Sequence, residues 1–220
     1  SRTYSLLVIE ALTTVRPQMV RSFRNMNAYW LPTRRGFLSS AAAAAVTGLV
    51  APTELLAAED RVGRRAPAWD ISEWINQDPG NVDALRGKVV VIDFFQLWCP
   101  GCNQFSGLLM SRWQKKFERQ IADGQLVFVK IHTVFEGHSY QTVKRLKGYL
   151  KEKQIDLPVG VDRHADGQRL PETMRRYRSR GTPEMAVINR EGIIRFQEFG
   201  YFEPHAVEAM IQSWMTATRA

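Results

Sequence analysis

Cysteine is scarce in this chain. Its 220 residues hold two, Cys99 and Cys102, too few to staple a small secreted scaffold. No second cysteine pair exists to complete a zinc site, and the four histidines, His132, His138, His164 and His205, show no ligand spacing. Asn103 stands after Cys102, where a haem attachment motif needs histidine. Long apolar runs are missing too: Phe37 to Ala51 is too short and too weakly apolar for a membrane span. There is no glycine-rich phosphate loop, no internal repeat and no paired-carboxylate hydrolase pattern. Lys and Arg number 30 against 22 Asp and Glu, but residues 1–58 carry six arginines and two glutamates. The remainder has 24 against 20, a net +4, which is an ordinary protein surface. Without aromatic interleaving it excludes a nucleic-acid footprint.

What the chain does have is concentrated between Val89 and Cys102. The run Val89-Val90-Val91-Ile92-Asp93-Phe94-Phe95 reads as a buried strand. It leads to two cysteines separated by Pro100 and Gly101. Phe105, Leu108, Leu109, Trp113 and Phe117 then follow with helical spacing. Cys99 therefore falls at a strand-to-helix junction, where unpaired amides and the helix dipole favour a thiolate. Cys102 lies about one turn further on and can close a disulfide with it. A reversible dithiol/disulfide couple is the leading reading, with a structural disulfide and half of a zinc site as the duller alternatives. Asp93 is a carboxylate inside an apolar strand. Burial would raise its pKa and make it a proton acceptor beneath the sulfurs, or it faces a polar pocket without chemistry.

Trp98-Cys99-Pro100-Gly101-Cys102 resembles the active site of the thioredoxin-like superfamily. Asp93, six residues before Cys99, resembles thioredoxin's buried aspartate, which serves proton transfer. Gly181-Thr182-Pro183 is similar to the loop whose cis-proline faces the dithiol. The resemblance runs from about Trp69 to Trp214 and is best to the periplasmic TlpA-like thiol–disulfide oxidoreductases, relatives of the redoxin and peroxiredoxin group. It implies an α/β fold, a three-layer α/β/α sandwich around a mixed sheet. It also implies Cys99 as nucleophile, Cys102 as resolving thiol and Asp93 as proton-transfer group. Trp98, Pro100, Gly101, Thr182 and Pro183 would form the substrate-binding surface. The expected partners are protein disulfides or dithiols and a membrane or periplasmic thiol redox partner. No cofactor or metal is expected beyond the Cys99–Cys102 pair, and a monomer is favoured. Two departures stand out. Glu184 replaces the threonine that follows the cis-proline in thioredoxin, and the family's glutamate soon after the second cysteine is missing. A thiol peroxidase is the enzymatic rival, but the proline and threonine seven and three residues before a peroxiredoxin cysteine are here Ile92 and Gln96. A non-catalytic binding module is the third reading.

Residues 1–58 read as targeting rather than fold. Thr33-Arg34-Arg35-Gly36-Phe37-Leu38 is a twin-arginine pattern. An apolar run and then small residues around Leu56-Ala57-Ala58 follow, the layout of an export signal. The chain begins at Ser1, and Met26 would be a natural start for such a signal, so residues 1–25 fit neither reading. The alternatives are an alanine-rich extension or an uncleaved membrane anchor. No cysteine near the cleavage region leaves nothing to carry a lipid. Residues 59–68 read as a linker and 69–220 as the thioredoxin-like domain.

Within that domain, Trp69 to Ile75 is a short helix or an edge strand packed outside the main sheet. Asp78-Pro79-Gly80-Asn81 is a turn. Leu126 to Ile131 is a second apolar strand, and His132 and His138 belong to its end and following loop, solvated. Val143, Leu146, Tyr149 and Leu150 mark an amphipathic helix, and Leu157 to Val161 a short strand. Leu170, Met174 and Tyr177 mark another helix, whose arginines, Arg175, Arg176, Arg178 and Arg180, are a candidate surface for an acidic partner. Met185 to Ile188 and Ile193 to Phe199 should pair antiparallel across the Arg190-Glu191-Gly192 turn. Glu203-Pro204 opens the last helix.

Overall fold

A computed structural model describes residues 61–216. The export segment expected over 1–58 lies outside the described residues. One mixed sheet of six strands forms the centre: β1 (Ile71–Ile75), β2 (Val89–Phe95), β3 (Leu126–His132), β4 (Val159–Asp162), β5 (Glu184–Ile188) and β6 (Ile194–Phe199), in spatial order β1-β4-β3-β2-β5-β6. Strands β2, β3 and β4 are parallel neighbours, while β1, β5 and β6 pair antiparallel. Among the described residues, five α-helices complete the fold: α1 (Gly107–Lys116), α2 (Glu118–Ala122), α3 (Val143–Glu152), α4 (Glu172–Tyr177) and α5 (Pro204–Thr216).

Strand β2 is central because every one of its residues is buried, as a β-branched run covered on both faces should be. Val89 and Val91 pack with Leu109, Met110 and Trp113 of α1 and with Val207 and Ile211 of α5. Val90, Ile92 and Phe94 point the other way, into a second core with Trp69, Leu85 and Tyr177. Helices thus cover both faces, giving the α/β/α sandwich. Alternation places Asp93 and Phe95 on the face of α1.

Three expectations need correction or refinement. The linker read over 59–68 is packed from Gly63 onward. Gly63 N–H donates to Ile194 O (2.8 Å) and Ala66 N–H to Gly192 O (2.9 Å), while Arg65 bridges to Ile193. Ala66 is buried beside Trp69. The physical reason is that β6 opens as a sheet edge with unpaired backbone groups, a demand that side-chain periodicity does not display. Ile71–Ile75, whose pattern allows helix or strand, is the edge strand β1 and is hydrogen-bonded into the main sheet beside β4 rather than packed outside it.

The helix after the cysteines keeps the expected stripe at Leu109, Trp113 and Phe117, with Phe105 packed against them, but not at Leu108. Cys102–Ser106 form a π turn that Gly107 N–H closes onto Cys102 O. One extra residue in that turn rotates the following face by roughly 100°. Within the regular helix that follows, Leu108 is 62% exposed, whereas Leu109 and Met110 are buried. A Cβ on Gly107 would lie 2.7 Å from Cys102 O, so only glycine lets the turn close there.

Candidate active site

Phe95 ends β2, and the chain turns through Gln96, Leu97 and Trp98 to Cys99. Pro100 and Gly101 then enter the helix, with proline in the first turn where its missing N–H costs nothing. Both cysteines are free. Both are buried, Cys99 with 8% exposed and Cys102 with 1%, so Cys99 is the more accessible of the two. The Cys102 N–H donates to Cys99 Sγ (3.2 Å), and the Cys99 thiol donates to Thr182 O (3.3 Å). The amide donor aimed at the outer sulfur is the kind of contact that stabilises a thiolate. Burial pushes the Cys102 thiol well up, with the Asp93 carboxylate adding to it and the Cys99 contact contributing too. The inner thiol is therefore held as SH until something removes its proton.

The Thr182–Pro183 bond is cis. Thr182 meets Cys99 through its carbonyl and Gln96 Oε1 through its hydroxyl (3.3 Å). A Cβ on Gly101 would stand 2.8 Å from Pro183 Cδ. The dithiol turn and the proline loop are in direct contact, and Gly101 is what permits it. Asp93 is fully buried and ion-paired with Lys130, itself 2% exposed. Lys130 sits directly opposite Asp93 in the β2–β3 register, and its ammonium also lies 4.4 Å from the centre of the Phe95 ring. Asp93 Oδ1 has no protein hydrogen-bond partner. The structure thus brings Cys99, Cys102, Asp93, Pro100, Gly101, Thr182 and Pro183 to one end of β2.

Trp98, the residue before Cys99, is 44% exposed. Its indole covers Gly137, where a Cβ would come within 2.1 Å of the ring. It stacks on Tyr140 (centroids 5.9 Å apart, 16° between planes), and the Arg145 guanidinium lies 4.3 Å from the centre of the Tyr140 ring.

Several residues of the site are not apparent in the sequence. Lys130 hides in a strand of apolar residues, although a lysine in a run otherwise buried is a readable signal. Asn103, where the family's nearby glutamate is missing, donates from Nδ2 to the carbonyls of Leu97 and Cys99, and Tyr149 donates its hydroxyl to Asn103 Oδ1. Gln141 Oε1 accepts from Leu97 N–H (2.9 Å) and from His132 Nε2 (3.0 Å). His132 is not solvated, contrary to its reading as a loop residue. It is fully buried at the end of β3, and burial drives its pKa down to about 4 against the Gln141 hydrogen bond. Glu184 does not face the dithiol either. It pairs with Phe94 in the sheet register, on the face away from Asp93. It accepts from Ser179 Oγ, Arg180 N–H and Gln197 Nε2, with burial holding its pKa above the usual value. Of the arginines read as a docking surface, Arg175, Arg176 and Arg180 are ion-paired to Glu172, Asp70 and Glu198. Among the described residues, no three His, Cys, Asp or Glu side chains gather as metal ligands.

One sulfur with a second hidden behind it, at the end of the central strand of this fold, is the arrangement of a redox-active pair. The molecule is a thioredoxin-fold protein with a C-x-x-C pair of free cysteines. Comparison with known proteins gives the family. The AhpC/TSA family model matches residues 62–197, and the chain belongs to that family. A crystal structure of a thioredoxin-like superfamily protein shares 34% identity, with 71% of this chain and 99% of that one covered at a TM-score of 0.66. A thiol-disulfide isomerase from Corynebacterium glutamicum shares 36% identity, covering 70% and 98% at a TM-score of 0.61. Protein DipZ of Mycobacterium tuberculosis is 26% identical over 146 residues, 64% of this chain and 19% of DipZ. The chain therefore spans about a fifth of the length of the curated relatives it matches.

Proposed function

We propose that the protein acts as a reductase of disulfides in exported proteins, with Cys99 as nucleophile and Cys102 as resolving thiol. The observation that carries this reading is the asymmetry of the pair: an outer sulfur that receives an amide hydrogen bond, and an inner thiol that burial keeps protonated. The Cys99 thiolate attacks one sulfur of a substrate disulfide, forming a mixed disulfide and expelling a substrate thiolate, which takes up a proton. Cys102 then loses its proton and attacks Cys99 Sγ. The Cys99–Cys102 disulfide forms and the second substrate thiol leaves, so two electrons pass to the substrate. Asp93, buried beneath the pair and close enough for its charge to raise the Cys102 pKa, is the acceptor for that proton. Trp98, Pro100, Gly101, Thr182 and Pro183 offer the substrate surface. A membrane or periplasmic thiol donor reloads the protein, which works as a monomer of TlpA-like type.

Export by the twin-arginine route rests on residues 33–58 of the sequence, with the mature form beginning near Glu59. Among the described residues no helix is long and apolar enough to cross a membrane. Mass spectrometry of the N-terminus from a fractionated native host checks this; a full-length cytosolic form as the only product contradicts it.

Insulin-disulfide reduction, run beside hydrogen-peroxide consumption, tests the activity. Turnover in the first assay alone is expected. At the place of the peroxidatic threonine, Gln96 is buried with its amide engaged by Thr182 Oγ1 and by the Glu136 carbonyl (3.4 Å). It brings no hydroxyl to a peroxide. Peroxide turnover without insulin reduction overturns the proposal.

A further inference from the structure

We propose that Asn103 and Tyr149 are a positioning pair that sets the reactivity of the Cys99 thiolate. This rests on the reading of Cys99 as nucleophile. The Asn103 side chain reaches back across the dithiol turn. Its Nδ2 donates to Leu97 O (3.0 Å) and Cys99 O (3.0 Å), the carbonyls on either side of Trp98, and its backbone N–H also donates to Cys99 O (3.2 Å). The Cys99 carbonyl is thereby fixed by two donors from one residue. With it are fixed the backbone angles that aim the Cys102 N–H at Cys99 Sγ.

An asparagine amide can sit either way round, and only one orientation serves here. Turned over, Oδ1 would face two carbonyl oxygens. Tyr149 holds the correct orientation: its hydroxyl donates to Asn103 Oδ1 (2.9 Å), which leaves Nδ2 on the carbonyl side. The phenol stays a donor, because burial first and then the charge of Asp93 push its pKa up to about 12. Its ring is itself braced against Phe95, the last residue of β2, with centroids 6.2 Å apart and 29° between planes. Tyr149 lies on α3, so the pair ties that helix to both the strand that enters the site and the turn that carries the nucleophile. The two side chains act through the Leu97 and Cys99 carbonyls rather than on a sulfur directly.

The test is the pH dependence of iodoacetamide alkylation of the full chain, with the labelled cysteine located by mass spectrometry. Wild type, Tyr149→Phe, Asn103→Leu and the double variant are compared, and melting temperatures are recorded alongside. Loosening the turn weakens one amide hydrogen bond to the thiolate. Cys99 labelling on the acid side of its profile should slow about fivefold in either single variant, with the midpoint moved to higher pH. The double variant should be no slower than Asn103→Leu alone, because Tyr149 works only through Asn103. A merely structural role lowers the melting temperature and leaves the midpoint in place. Tyr149→Phe removes one oxygen from a partly exposed side chain and keeps the ring, so it serves if Asn103→Leu does not fold. Cys99 labelling first in wild type, with an unmoved midpoint in Tyr149→Phe or with additive shifts, overturns the positioning role and leaves the nucleophile assignment standing. Cys102 labelling first in wild type overturns both.

Discussion

Gly101→Ala separates the geometry of the site from its stability. Gly101 has helical backbone angles, φ −62° and ψ −36°. At such a position alanine normally gains up to about 1 kcal/mol over glycine. Here the new methyl would sit 2.8 Å from Pro183 Cδ and 3.2 Å from its Cγ, against about 3.5–4.0 Å for an ordinary carbon contact. The dithiol turn and the proline loop must part by roughly 0.8 Å, at about 1–3 kcal/mol for overpacking. The two effects leave a net loss of roughly 0–2 kcal/mol. Chemistry suffers more, because the same movement stretches the 3.3 Å contact between Cys99 Sγ and Thr182 O and displaces the substrate surface from the sulfur. Misplacement of about 1 Å costs up to about 100-fold, so a fall of at least about tenfold in kcat/KM for insulin reduction is expected. Gly148→Ala is the control. It lies on the exposed side of α3, where an added methyl meets nothing within 4 Å, and should gain about 0.5–1 kcal/mol with activity unchanged. Equal behaviour of the two variants, both stabilised and both fully active, would refute the contact as the reason for glycine at 101.

The buried ion pair should show strong coupling. Lys130→Met leaves the Asp93 charge buried and alone, an expected loss of about 3–5 kcal/mol by urea unfolding, and adding Asp93→Asn should restore a large part of it; simple additivity contradicts the pairing. Asp93→Asn alone should alter the pH–rate profile of the step in which Cys102 closes onto Cys99, and an unchanged profile and rate removes Asp93 from the mechanism. His132 should make the protein acid-sensitive. Its pKa is about 4 folded and about 6.5 unfolded, so the unfolded chain binds more protons in between. Its contribution is complete above about pH 6.5 and is lost as pH falls towards 4, up to about 3 kcal/mol. Urea midpoints for wild type and His132→Asn should converge across that window, and parallel pH slopes contradict the assignment.

The dithiol and Asp93 were legible because short contiguous signals announce them: a strand run that stops at two cysteines, and one acid among apolar residues. The Thr182–Pro183 loop was legible only through the family resemblance, since a proline before a strand does not by itself mark a site. Contacts between segments were not legible. Asn103 and Tyr149 meet across 46 positions, and neither residue type marks a site by itself. Lys130 becomes a partner of Asp93 only once the β2–β3 register is known. The π turn leaves no trace in spacing, since a stripe through Phe105, Leu108 and Trp113 is equally good for a regular helix; the glycine at 107 was the sole clue. Glu184 stood out as a departure beside the cis-proline, yet strand alternation turns it to the face away from Asp93.

Trapping by the two cysteine variants tests the central claim most directly. In the native host, Cys102→Ser leaves the outer nucleophile intact and removes the thiol that releases it. It should accumulate mixed disulfides with exported proteins that added reductant sets free, while Cys99→Ser, with its remaining sulfur 1% exposed, should trap almost nothing. Equal trapping by both variants contradicts the assignment of roles. No trapping by either, with the wild-type pair oxidised throughout growth, contradicts disulfide exchange itself and makes the pair a structural disulfide.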